Sequence, residues 1–136
     1  IEEAERDFQQ VMETMRGEKV DVAFFPVDPR LGMMFDAGPN YFAMVVKPRL
    51  MIPMHFWERA EVIREYARRS RSPQTEIIAM TTPGDMILLE FDEQENMTVH
   101  MQSVTSAPVA RNKKVQLEAY DGENPFNDSD LPVDME

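Results

Sequence analysis

The stretch from Arg49 to Glu58 constrains the fold most, because its sequence Arg-Leu-Met-Ile-Pro-Met-His-Phe-Trp-Glu joins an apolar run to a histidine through a proline. The residue before a proline is held extended, which suits Ile52 to a strand, and Pro53 has no N–H to donate to a neighbouring strand. The pattern therefore predicts a short buried strand that places His55 at its carboxyl end. Open α/β folds usually bind ligands at that edge of the sheet.

His55 has two interpretations at this position. An imidazole at the edge of a sheet can bind a metal ion or transfer protons near neutral pH. A structural histidine that only hydrogen-bonds a neighbouring backbone carbonyl gives the same pattern, and a single histidine does not decide between the two.

A second β-prone run, Val20 to Val27, precedes this strand, and its nearly continuous apolar character predicts a strand buried on both faces. The loop that follows reaches the same edge as His55 if the two strands are parallel. Asp28 is then a candidate to orient a ligand histidine, and Arg30 is a candidate to hold an anion. A turn in which Arg30 only pairs with Asp28 explains the same residues.

Three helices are predicted from apolar residues that recur at intervals of three and four. They are Ile1 to Arg16, a helix that Gly38-Pro39 opens and Lys47-Pro48 ends, and Trp57 to Arg69 with Trp57 at its first apolar position. The second helix lies between the two apolar strands, so strand, helix and strand form one crossover unit. The predicted fold class is therefore α/β.

The pattern changes after Ser72-Pro73. Short β-prone segments at 77–81, 86–91 and 97–101 predict an antiparallel meander, with His100 on the polar face of its last strand. Residues 1–102 form the predicted domain, and residues 103–136 form an extension. Within that extension, Lys113 to Tyr120 is predicted as an edge strand and Asp121 to Glu136 as a flexible acidic tail.

Composition excludes several classes of protein and site. The 136 residues suffice for one domain, and a hydrophobic content of 43% is typical of a globular protein. The 14 basic and 25 acidic residues give a net charge of -11, which predicts no nucleic-acid partner. The absence of cysteine excludes disulfides and thiolate metal sites. No signal peptide or membrane-spanning run is recognised, so the chain is expected to be cytoplasmic with no membrane partner.

Two stretches in this order resemble the C-terminal part of a metallo-β-lactamase-fold hydrolase. They are Lys19 to Asp28, Lys-Val-Asp-Val-Ala-Phe-Phe-Pro-Val-Asp, and Lys47 to Phe56, Lys-Pro-Arg-Leu-Met-Ile-Pro-Met-His-Phe. Members of that family often carry a "DVAFLPV" strand, a helix and a "KPK-hydrophobic-IPMHY" strand. The turn Pro83-Gly84-Asp85 and the segment that follows it, Met86–Leu89, also fit the closing strand of the family. The resemblance covers roughly residues 18 to 91, and the ordered combination is more specific than either stretch alone.

The resemblance implies a function for His55. In the family, the matching histidine is the last ligand of a two-metal site, which usually holds zinc or another divalent metal and activates a bridging water for hydrolysis. The implied fold is the C-terminal half of an αββα sandwich. Such a half is expected to need the N-terminal half of the fold or self-association, because it exposes an apolar sheet face and a free strand edge. The resemblance does not specify the small-molecule substrate.

The chain departs from the family in its ligands. The family's His-x-His-x-Asp-His run, its later ligand histidine and its bridging aspartate have no counterpart, and His55 and His100 are the two histidines present. A zinc site normally needs three or four protein ligands, so this chain alone is expected to be inactive. The simplest interpretation is the C-terminal portion of a longer enzyme. The alternatives are a non-catalytic binding or interaction module derived from that fold, or an unrelated α/β domain in which His55 is structural.

Overall fold

Two β-sheets and three α-helices make up the part of the chain that the computed structural model describes, which is residues 2–70, 72–105 and 109–112. In chain order the elements are α1 (Glu2–Glu13), β1 (Val22–Pro26), a 3₁₀ segment (Pro29–Met34), α2 (Ala37–Val46), β2 (Leu50–Met54), α3 (Ala60–Arg69), β3 (Glu76–Ala79), β4 (Met86–Phe91), β5 (Met97–Gln102) and β6 (Ala110–Arg111). The chain is therefore a mixed α/β protein, as its sequence predicts.

The larger sheet has the strand order β1-β2-β3-β6. β1 pairs with β2 in parallel, with Phe24 opposite Ile52 and Pro26 opposite Met54. This pairing across α2 confirms the predicted crossover unit. β3 also runs parallel to β2, whereas β6 is antiparallel to β3.

The core lies on both faces of this sheet, because successive side chains of a strand point to opposite faces. On one face, Met51 and Ile77 pack with residues of α2 and α3, among them the fully buried Tyr66. On the other face, Leu50, Ile52 and Ile78 pack with apolar residues of the β4–β5 hairpin. The sheet is thus covered by helices on one side and by a second, two-stranded sheet on the other.

The prediction that Val20 to Val27 is buried on both faces is wrong. Phe24 is 62% exposed, whereas its pairing partner Ile52 is only 6% exposed. β1 is an outer strand of the described sheet, and the hairpin packs against Val22 without covering Phe24. An outer position also explains why Pro26 is tolerated, since the missing N–H costs no bond to a second neighbour.

The predicted meander is wrong in its first strand. β3 belongs to the larger sheet, and only β4 and β5 pair in antiparallel fashion. His100 lies on the exposed face of that hairpin, as predicted, with its Nε2 3.0 Å from a carboxylate oxygen of Glu90.

β6 was not predicted. The expected edge strand Lys113–Tyr120 and the acidic tail Asp121–Glu136 lie outside the described residues.

The three described helices are short or polar. Among the described residues, none of them has both the length and the apolar character that crossing a membrane requires.

Candidate functional site

The parallel pairing of β1 and β2 brings the loop after β1 next to His55. Both strands end at the same edge, where the N–H of Val27 donates to the carbonyl of Met54. The Nδ1 atom of His55 lies 3.6 Å from an Oδ atom of Asp28, a distance suited to an ion pair but longer than a hydrogen bond. The Asp28 side chain is only 12% exposed, whereas that of His55 is 52% exposed. An exposed imidazole therefore stands against a largely enclosed carboxylate.

Arg30 also binds the Asp28 carboxylate. Its Nε and Nη2 donate to the two carboxylate oxygens at 3.0 and 2.7 Å, and its backbone N–H donates to Oδ1 at 2.9 Å. These hydrogen bonds from Arg30 lower the pKa of Asp28 well below its usual range, outweighing the opposite effect of burial. The pairing of Arg30 with Asp28, on which the alternative interpretation of this loop depends, is present, and the structure places both residues near His55.

Trp57 completes the cluster and was not predicted to belong to it. The Arg30 guanidinium carbon lies 4.4 Å from the centroid of the Trp57 ring, and the imidazole of His55 meets that ring edge-on with the centroids 4.8 Å apart. The sequence places Trp57 in the third helix, but α3 begins only at Ala60. No signal in the sequence separates Trp57 from the helix, since its spacing fits the apolar period of α3.

The backbone around these side chains is unusual. His55 and Trp57 have φ angles of 65° and 54°, in the left-handed region that side chains with a Cβ avoid. That conformation costs about 1–2 kcal/mol per residue. It persists where surrounding contacts hold it, and such residues cluster at functional sites. We define Asp28, Arg30, His55 and Trp57 as the edge cluster.

The edge cluster offers few metal ligands. The Nε2 atom of His55 has no hydrogen-bond partner among the described residues, so it is available to a ligand. Within residues 2–70, 72–105 and 109–112, no three His, Asp or Glu side chains are grouped so that they could hold a metal ion. One imidazole and one carboxylate are fewer than the three or four ligands of a zinc site, so the described residues do not complete one.

Neither protein-family models, nor curated proteins, nor solved structures gave a match to this chain.

The Asp28–Arg30 pair predicts a pH-dependent contribution to stability. Because the pKa of Asp28 is lower in the folded chain than in the unfolded one, its ionised form stabilises the fold above about pH 4. That contribution is lost as the pH falls below this value. Asp28→Asn is therefore expected to unfold at a lower temperature than the unchanged chain at pH 7, and the difference should shrink towards pH 2.

Thermal unfolding followed by circular dichroism at several pH values measures this difference. Asp7→Asn, which alters an exposed carboxylate of α1, serves as the matched control. An Asp28→Asn deficit that stays constant from pH 7 to pH 2 would contradict the assigned ion pair.

Proposed function

We propose that this chain is part of a metal-dependent hydrolase with the metallo-β-lactamase fold. In this proposal His55 supplies one ligand of a dinuclear site for zinc or another divalent metal, and the other ligands lie outside this sequence. The observation that carries the proposal is the position of His55. It stands at the carboxyl end of a parallel strand with one ring nitrogen towards Asp28 and the other without a partner among the described residues.

This arrangement suits a ligand histidine. Metal-bound histidines usually direct their second ring nitrogen to a carboxylate or carbonyl, which fixes the ring and raises its basicity. Asp28 is placed to do this once the 3.6 Å separation shortens, and Arg30 keeps Asp28 ionised and fixed. When bound, the metal ions would polarise the substrate and supply the nucleophile for hydrolysis.

The two layers next to the larger sheet also support this proposal. Helices on one side of the larger sheet and a second sheet on the other give the order α, β, β, which is compatible with three successive layers of an αββα sandwich. In that arrangement, the rest of the sandwich would cover the exposed Phe24 and the outer edge of β1.

Metal analysis of the native protein that contains this chain tests the proposal. It is expected to retain a divalent metal through purification and to hydrolyse a substrate in a panel of esters and phosphodiesters. A protein purified from metal-replete cells with no bound metal and no hydrolytic activity would contradict it.

A second candidate function, a non-catalytic interaction module, is favoured by the exposed Phe24 on an outer strand. Unpaired strand edges and exposed apolar side chains promote association with another chain. If this surface mediates self-association, the 136-residue chain should form dimers or larger species, and Phe24→Asp should shift it towards the monomer.

Size-exclusion chromatography with light scattering measures this shift. Leu88→Asp is the matched control, because Leu88 is similarly exposed but lies on the hairpin. A chain that stays monomeric at every concentration, or an equal effect of both substitutions, would contradict an interface at β1.

A further inference from the structure

Arg30 has hydrogen-bonding capacity that the edge cluster does not use. A guanidinium carries five N–H donors in a planar fork. Asp28 accepts from Nε and Nη2, on one side of that fork. Among the described residues, no acceptor contacts Nη1. The Nη1 side can therefore donate hydrogen bonds to a second anion while the Asp28 pair stays in place.

Two contacts hold this guanidinium in a fixed orientation. Asp28 binds it through two hydrogen bonds, and the ring of Trp57 lies 4.4 Å from its central carbon. The Arg30 side chain nevertheless remains 63% exposed. A group that is ordered before binding loses less conformational entropy when a ligand arrives, so Arg30 is preorganised for an anion.

Exposed apolar residues include the contact partner of this cation and its neighbours in the chain. Trp57 is exposed, and so are Leu31 and Met33 of the 3₁₀ segment that carries Arg30. An inorganic ion would leave the exposed part of Trp57 unused, whereas an anion attached to an apolar group would cover part of it.

We propose that Arg30 and Trp57 together bind an organic anion, with its carboxylate or phosphate on the Nη1 side of Arg30 and its apolar group against Trp57. The role of this anion as the anchoring group of a substrate beside His55 rests on the proposed hydrolase function. The binding step itself requires neither a metal nor hydrolysis. The net charge of -11 disfavours anions at long range, so recognition depends on these local contacts.

Trp57 is the single tryptophan of the chain, so its fluorescence reports directly on this site. The experiment titrates the 136-residue chain with phenyl phosphate, benzoate, inorganic phosphate and phenol. We expect phenyl phosphate or benzoate to change the fluorescence saturably, and the stronger of the two identifies the anionic group. Inorganic phosphate and phenol should bind at least about tenfold more weakly, because each makes only half of the contacts.

Substitution of the arginine tests its role. Arg30→Gln should weaken binding of the preferred anion by roughly 10- to 100-fold, the usual effect of losing a hydrogen bond to a charged group. Arg68→Gln is the matched control: Arg68 is also exposed and paired with a carboxylate, that of Glu65, but lies in the last turn of α3. Circular dichroism checks that both variants fold, and calorimetry measures affinity independently of Trp57.

No saturable response to either organic anion would overturn the inference, as would equal binding by Arg30→Gln and the unchanged chain. Equal affinity for inorganic phosphate and phenyl phosphate would also overturn it, since the apolar contact would then be absent. A native protein that binds the anion but holds no metal would contradict the hydrolase proposal alone. The two failures are therefore distinguishable.

Discussion

Replacing His55 by alanine in the native protein is expected to reduce bound metal by about one ion per site and to lower turnover by more than roughly 100-fold. Even residues that only orient metal ligands cost about 10- to 100-fold when they are changed, and a ligand should cost more. The fold should survive, because the His55 side chain is half exposed and contributes little to the core. Elemental analysis, hydrolysis of an ester and phosphodiester panel, and circular dichroism measure the three effects.

Two further variants test whether the loss of metal and activity is specific to His55. His100→Ala removes the other histidine of the chain, which pairs with Glu90 on the exposed face of the hairpin, and should change neither metal content nor turnover. Asp28→Asn should retain the ligand but lower activity by roughly 10- to 100-fold, because the imidazole loses the carboxylate that orients it. A His55→Ala protein with full metal occupancy and full activity would make His55 a structural residue.

Asn112→Ala is expected to destabilise the fold by about 2–5 kcal/mol, as two buried backbone groups would lose their partners. The Asn112 side chain is almost fully buried next to β3. Its Oδ1 accepts from the N–H of Ile77 at 2.6 Å, and its Nδ2 donates to the carbonyl of Thr75 at 3.2 Å. The side chain thus supplies hydrogen bonds that a longer β6 would otherwise make.

Chemical denaturation of the 136-residue chain measures this loss. Gln102→Ala, at the exposed end of β5, is the control and should change stability by no more than about 0.5 kcal/mol. A loss below about 1 kcal/mol for Asn112→Ala would mean that water replaces these hydrogen bonds readily.

The position of the edge cluster follows from local sequence signals. Pro26 is the last residue of β1 and Pro53 is the last but one of β2, and α2 between the two strands favours parallel pairing. Parallel strands end at a common edge, so the proximity of Asp28 and His55 can be predicted without a structure. The partnership of Arg30 with Asp28 is equally local, since the two residues are two positions apart.

Other features depend on contacts that a single sequence does not display. Trp57 fits a helical period, yet it has a left-handed backbone and contacts Arg30, from which α2 and β2 separate it in the chain. The exposure of Phe24 depends on how far the hairpin extends across the sheet. β6 has only two residues and is fixed by Asn112 across a separation of 35 positions, which short-range patterns cannot reveal.

Anomalous diffraction at the metal's absorption edge, recorded from crystals of the native protein, tests the role of His55 most directly. The proposal predicts an anomalous peak at about 2.0–2.1 Å from a ring nitrogen of His55, the usual zinc–histidine distance. A metal peak elsewhere in the protein, with the His55 imidazole free of metal, would contradict it.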